Sequence, residues 1–196
     1  MVRVFRSMLQ ERLVLCIFAL QVIRPAQDLA PLVTSKFGAG AAFVASITSV
    51  RSTFRMLLPL TPVIPMLHAA LGGGTRDPKT GEVVGGDRPV AAVMCVAMAL
   101  LGALVPLCPN LVVLQVVMAA KGLANVIKES TVSAIMSSLA SHGNVGAFFG
   151  WQHFMKGLAG VTSHMVTGLL VSRGPEHPYF ATAACDLLYA LIYVFA

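Results

Sequence analysis

The chain contains few charged residues. Asp, Glu, Lys and Arg make up 11% of its 196 residues, whereas soluble domains contain about 25%. Hydrophobic residues make up 57%, and the mean hydropathy is +0.80. This balance excludes an ordinary soluble enzyme domain.

Sequence motifs of known chemistry are also missing. The chain has no GxSxG sequence, no HExxH sequence and no paired intramembrane aspartates, so an intramembrane enzyme has no basis here. Its cysteines, Cys16, Cys95, Cys108 and Cys185, form no CxxC pair and have no histidine at ligand spacing. We therefore predict packing roles for them, and we expect no catalytic residue, no metal and no cofactor.

The net charge of +6 raises the question of a nucleic-acid partner. The basic residues are scattered among helix ends and loops and are not gathered with aromatic side chains on one face. We expect no nucleic-acid partner.

Long apolar runs fill the chain instead. They cover residues 13–33, 41–71, 89–107, 111–139, 145–172 and 179–196. A hydrocarbon core about 30 Å thick accepts helices of roughly 20 residues, and these runs lack the alternation of membrane β-strands. The sequence predicts an all-α, polytopic membrane protein with six transmembrane helices in a lipid bilayer.

The polar segments indicate the orientation. Residues 1–12 are basic and are interpreted as an interfacial segment or as an organellar presequence, and residues 72–88 are interpreted as an inner loop. Counting Lys and Arg near the ends of the spans gives six on the N-terminal side against two on the other. Both termini are therefore expected in the cytoplasm, or on the matrix or stromal side of an organelle.

Polar residues within the first span are candidates for a cavity. Gln21, Arg24 and Asp28 are spaced three and four apart, so a continuous helix places them on one face. Charges in a bilayer pair with one another or face a water-filled cavity. Arg24 and Asp28 are then either a structural ion pair or part of a substrate site.

The second span carries two arginines one turn apart, Arg51 and Arg55. The three prolines that follow, Pro59, Pro62 and Pro65, permit kinks of the kind that line transporter cavities. The arginines are candidates for an anion-facing site, and a tilted helix with structural serines is the alternative.

Lys121, Asn125 and Lys128 share one face of the fourth span. Lys121 and Asn125 are the cavity candidates there. We interpret Lys128 and Glu129 as charges at the helix end, toward the inner interface.

Four further residues are candidates in the last two spans. His153 and Lys156 are three apart in the fifth span and are assigned to the cavity. His164 and Asp186 are candidates for proton coupling, since histidine is easily titrated near neutral pH and an intramembrane acid is a functional candidate. The alternative for each is a satisfied structural hydrogen bond.

The glycine pattern resembles a known family. Residues 71–74 and 86–90 resemble the signature between the second and third helices of a major facilitator superfamily half, and residues 122–170 look like its fourth and fifth helices. The resemblance implies one six-helix half, most like a C-terminal half. Asp87 and His164 depart from the family pattern, so only Gly86 and Arg88 are carried over, as loop and gating-interface residues.

The resemblance implies transport without covalent chemistry. Family members bind substrate between two six-helix halves, and the chain supplies one. We expect a fragment, or a half that needs a second six-helix half or a homodimer, moving a small organic and anionic solute by alternating access. A non-transporting structural subunit of a larger organellar complex is the alternative.

Overall fold

The computed structural model describes residues 12–57, 61–62, 66, 70, 75–76, 83–84, 86–139 and 145–195. The helices of this part are α1 (Arg12–Ile23), α2 (Leu29–Phe37), α3 (Ala41–Leu57), α4 (Asp87–Leu104), α5 (Leu111–Leu139), α6 (Val145–Val171) and α7 (His177–Phe195). A 3-10 turn, Val105–Leu107, extends α4. Nearly all of the predicted N-terminal segment lies outside the described residues.

Four of these helices are long and apolar enough to cross a membrane. The stretches are Asp87–Leu107, Leu111–Ile135, Gln152–Val171 and His177–Phe195. The protein is therefore all-α in its main elements and has the helices that a membrane protein requires. Within the predicted loop 72–88, the described residues include two short antiparallel strands, β1 (Thr75–Arg76) and β2 (Val83–Val84).

The first predicted span is not one continuous helix. α1 ends at Ile23 and α2 begins at Leu29, so residues 24–28, called the break below, are not helical. Pro25 has no N–H to bond the carbonyl four residues earlier, which ends the helix at this point. The expected pairing of Arg24 with Asp28 along one helix face is therefore wrong.

Asp28 has a local structural role instead. Its Oδ1 accepts a hydrogen bond from the backbone N–H of Ala30 at 3.1 Å, so it is the N-cap of α2. Gly38 ends α2 with a left-handed φ of 62°, a conformation that favours glycine. Lys36, in the last turn of α2, donates a hydrogen bond to the carbonyl of Pro106 in the 3-10 turn.

Hydroxyl groups of α6 bond the carbonyls that the break leaves open. Thr162 Oγ1 donates to the carbonyl of Val22 at 2.8 Å. Thr167 Oγ1 lies 2.9 Å from the carbonyl of Ala26. An unsatisfied carbonyl in a lipid environment costs several kcal/mol, so these contacts fix α6 against the break.

Helix α7 bonds the same segment from another side. Tyr179 Oη donates to the carbonyl of Asp28 at 3.0 Å, and Thr182 Oγ1 lies 3.4 Å from the carbonyl of Pro25. Both side chains are fully buried. The break is thus held between α6 and α7.

Helix α4 is the central helix of the bundle and packs against both α5 and α7. Its buried small residues include Ala91, Ala99 and Gly102, which let neighbouring backbones approach closely. α1 packs against α6 and α7, and α3 packs against α5. The helices therefore surround a common interior that the break enters.

We predict that Thr167→Val lowers the free energy of unfolding by about 1 kcal/mol, because the carbonyl of Ala26 then loses a donor in a nonpolar environment. Reversible unfolding in mixed detergent micelles measures the difference. The matched control is Thr48→Val, whose exposed hydroxyl bonds the carbonyl of Val44 in its own helix at 2.9 Å. Equal effects of the two variants would contradict the role given to Thr167.

Candidate functional site

A cavity of about 370 Å³ lies inside the bundle. Its walls come from α1 and the break and from helices α4 to α7. Pockets for small ligands have volumes of roughly 300 to 1,000 Å³. The cavity is therefore large enough for a small solute.

The break supplies one polar wall. Gln21, Arg24 and Gln27 all line the cavity. The buried atoms Gln21 Oε1, Arg24 Nε and Gln27 Nε2 have no hydrogen-bond partner among the described residues. Two donors and one acceptor are thus left for a bound molecule or water.

Helix α5 supplies a second polar wall, made of charged and amide side chains. Lys121, Asn125, Lys128 and Glu129 line the cavity. The Lys121 amine donates a hydrogen bond to Gln27 Oε1, and Asn125 Nδ2 donates to Glu129 Oε1 at 3.0 Å. The interpretation of Lys128 and Glu129 as charges at the helix end is therefore wrong, because both side chains turn toward the interior.

Gly102 makes room for the Lys121 amine. A Cβ atom at this position would lie 3.1 Å from Lys121 Nζ and 3.8 Å from Gln27 Nε2. The absence of a side chain on α4 thus lets the amine approach the amide of the break. The role of Gly102 cannot be predicted from the sequence, since its neighbours Lys121, Ala183 and Gln27 come from other parts of the chain.

A buried ion pair lies beside the cavity. Arg24 Nη2 is 2.9 Å from Asp186 Oδ1 and 3.0 Å from Oδ2. The Lys128 amine lies 3.8 Å from the same carboxylate and 5.4 Å from the centroid of the Tyr189 ring. The Asp186 side chain is 0% exposed, so its charge is compensated by cations from two other parts of the chain.

Helix α6 divides its polar residues between the cavity and the outer surface. Gln152 is buried against the cavity, and the exposed Lys156 also lines it. His153 and His164 are exposed and do not line the cavity. The sequence assigned both His153 and Lys156 to the cavity, but only Lys156 lines it. His164 also lies away from the cavity.

The remaining candidates from the sequence lie elsewhere. Asp28 is exposed at the start of α2. Gly86 precedes α4 with a left-handed φ of 104°, and Arg88 is exposed in the first turn of that helix. The side chains of Arg51 and Arg55 lie outside the described part of the structure.

Positive charge dominates the cavity. In the part of the chain that the structure describes, four cations and one carboxylate line it, and a second carboxylate lies beside it: Arg24, Lys121, Lys128, Lys156, Glu129 and Asp186. The formal excess among these residues is two positive charges. Such a set can bind an anion through charge-assisted hydrogen bonds.

Among the described residues, no group of three or more His, Cys, Asp and Glu side chains is placed to hold a metal ion. Comparison with protein-family models, with curated proteins and with solved structures gave no match.

We predict that Asp186→Asn lowers the free energy of unfolding by about 3 to 5 kcal/mol, because it removes the buried counter-charge of Arg24 and Lys128. Arg24→Gln should cost less, since the Lys128 amine still lies 3.8 Å from Asp186. The double variant should lose less than the sum of the two single losses. Unfolding in mixed micelles gives all three values, and additive losses would contradict the pairing.

Proposed function

We propose that the chain is one half of a secondary transporter that moves a small organic anion by alternating access. The observation that carries this proposal is a cavity of about 370 Å³, open on one side, whose described charged neighbours include four cations and two carboxylates. Helices apolar enough to cross a membrane form much of its wall. Ionisable side chains that face a cavity within membrane-spanning helices are functional candidates in membrane proteins.

The break supports the same proposal. Discontinuous helices in transporters place irregular backbone and polar side chains at the substrate site near the middle of the bilayer. Here Pro25, Ala26 and Gln27 all line the cavity. In this proposal α1, the break and α2 together form the first of six spans, and both termini face the cytoplasm, or the matrix or stroma of an organelle.

A second six-helix half, or a second copy of the chain, completes the transporter in this proposal. Helix α6 supports a protein partner, because only 11% of its apolar stretch Gln152–Val171 is buried. His153 and His164 are exposed on it, and a polar side chain at membrane depth is better covered by protein than by lipid. Gly146 and Gly150 have open space at their Cβ positions, which permits close helix contact.

Uptake into proteoliposomes tests the proposal. The full chain, alone and with candidate second halves, should give saturable uptake of a small organic anion. Lys121→Gln and Lys156→Gln should each lower uptake at limiting substrate by about 10-fold or more, as expected for the loss of one charged hydrogen-bond donor.

Arg173→Gln is the matched control. Arg173 is exposed after α6 and does not line the cavity, so this variant should retain the uptake rate. If both cavity variants transport as fast as the control, the site is not where we place it.

The alternative function is a non-transporting subunit of a larger complex, and the exposed surface of α6 also favours it. Native electrophoresis in a mild detergent separates the two functions. A discrete large assembly that neither binds nor moves any anion would replace the transporter by the subunit.

A further inference from the structure

Arg24 holds the carboxylate of Asp186 with only part of its guanidinium group. Its Nη2 donates to Asp186 Oδ2 at 3.0 Å, whereas its buried Nε has no hydrogen-bond partner among the described residues. Guanidinium groups bind carboxylates most strongly through two parallel N–H···O bonds. The pair lacks that complete geometry, so Arg24 keeps a donor for a second acid group.

Asp186 is incompletely bonded as well. Its buried Oδ1 has no hydrogen-bond partner in the described part of the chain, although Arg24 Nη2 lies 2.9 Å away. The Lys128 amine lies 3.8 Å from the same oxygen, which is beyond hydrogen-bond distance. A movement of about 1 Å brings this amine and Oδ1 to the length of a charge-assisted hydrogen bond. Asp186 therefore has a second cation within reach.

The three side chains differ in their access to the cavity. Arg24 and Lys128 line it, with 25% and 12% of their side chains exposed. Asp186 contacts Arg24 but does not line the cavity, and its side chain is 0% exposed. A solute in the cavity therefore meets the two cations before it meets the carboxylate.

Resting on the proposed function, we propose that Arg24 binds a carboxylate group of the solute and that Asp186 occupies Arg24 while the cavity is empty. The carboxylate of the solute bonds the donors of Arg24 and weakens the contact of Nη2 with Asp186. Asp186 then moves toward the Lys128 amine and forms the bond that Oδ1 lacks. The buried carboxylate keeps a cation throughout, which avoids the large cost of an unpaired buried charge.

This exchange makes Asp186 a competitor of the solute. If the ion pair had only a structural role, replacing Asp186 would lower stability, and the wild-type chain would bind no free carboxylate through Arg24. If Asp186 competes, its replacement lowers stability and also raises the affinity for a carboxylate. Stability and affinity then change in opposite directions, which separates the two roles.

Acetate and acetamide have similar shapes and differ in charge, so they test the exchange without requiring transport. The full chain in nanodiscs is titrated with each compound at constant ionic strength, and binding is measured from the rise in unfolding temperature. Acetate should stabilise the wild-type chain, and acetamide should not. Arg24→Gln should weaken acetate binding by about 10-fold or more, because the charged donor is lost.

Asp186→Asn tests the competition. It should bind acetate about 10-fold or more tightly than the wild-type chain, because Arg24 remains and the competing charge is gone. A variant too unstable to isolate alone should be recovered by refolding in acetate and not in acetamide. Glu176→Gln is the matched control, since it removes one negative charge from an exposed position outside the cavity. The control should leave acetate affinity unchanged.

Lys128→Gln tests the second partner of Asp186. It should lower acetate affinity several-fold, because displaced Asp186 then finds no cation. The same change in the Asp186→Asn background should have a smaller effect, since no carboxylate has to be taken over. The difference between the two effects is the coupling of Lys128 to Asp186.

Each result has a defined consequence. The exchange is overturned if the wild-type chain does not bind acetate, if acetamide stabilises it equally, or if Asp186→Asn neither gains affinity nor is recovered by acetate. Equal effects of Lys128→Gln in the two backgrounds overturn the role of Lys128. The predicted acetate binding without uptake of any organic anion keeps the exchange and rejects transport. Saturable uptake that Arg24→Gln leaves unchanged keeps transport and rejects the exchange.

Discussion

Backbone carbonyls that a broken helix leaves open inside an apolar bundle need donors from other parts of the chain. In this protein the break at Pro25 creates that need, and hydroxyl groups of α6 and α7 meet it. Thr167 and Tyr179 bond carbonyls of the break from two directions. The same residues that lack helical hydrogen bonds therefore determine where two later helices lie.

The break also determines the electrostatics of the interior. It turns Arg24 toward Asp186 and Gln27 toward Lys121, so the side chains that line the cavity and those that hold the bundle together are neighbours. A buried carboxylate between two cations is expensive to disturb from either side. Stability and the proposed anion binding thus depend on the same few contacts.

Much of the helical framework can be predicted from apolar runs alone. The run 111–139 contains no proline, and the helix Leu111–Leu139 covers that range. The break was missed because hydropathy over a long window conceals the missing donor of Pro25. The ion pair was missed because Arg24 and Asp186 are 162 positions apart. Such contacts depend on how helices pack, which the pattern of one sequence does not specify.

The threonines beside the break each have one hydroxyl proton and more than one acceptor within reach. Thr167 Oγ1 lies 2.7 Å from the carbonyl of Ser163 in its own helix, and Thr182 Oγ1 lies 2.7 Å from that of Pro178. Rotation about one side-chain bond to oxygen redirects the proton from the break to the parent helix. A helix that moves away from the break therefore keeps its donor satisfied, and only the vacated carbonyl has to find water or a new partner.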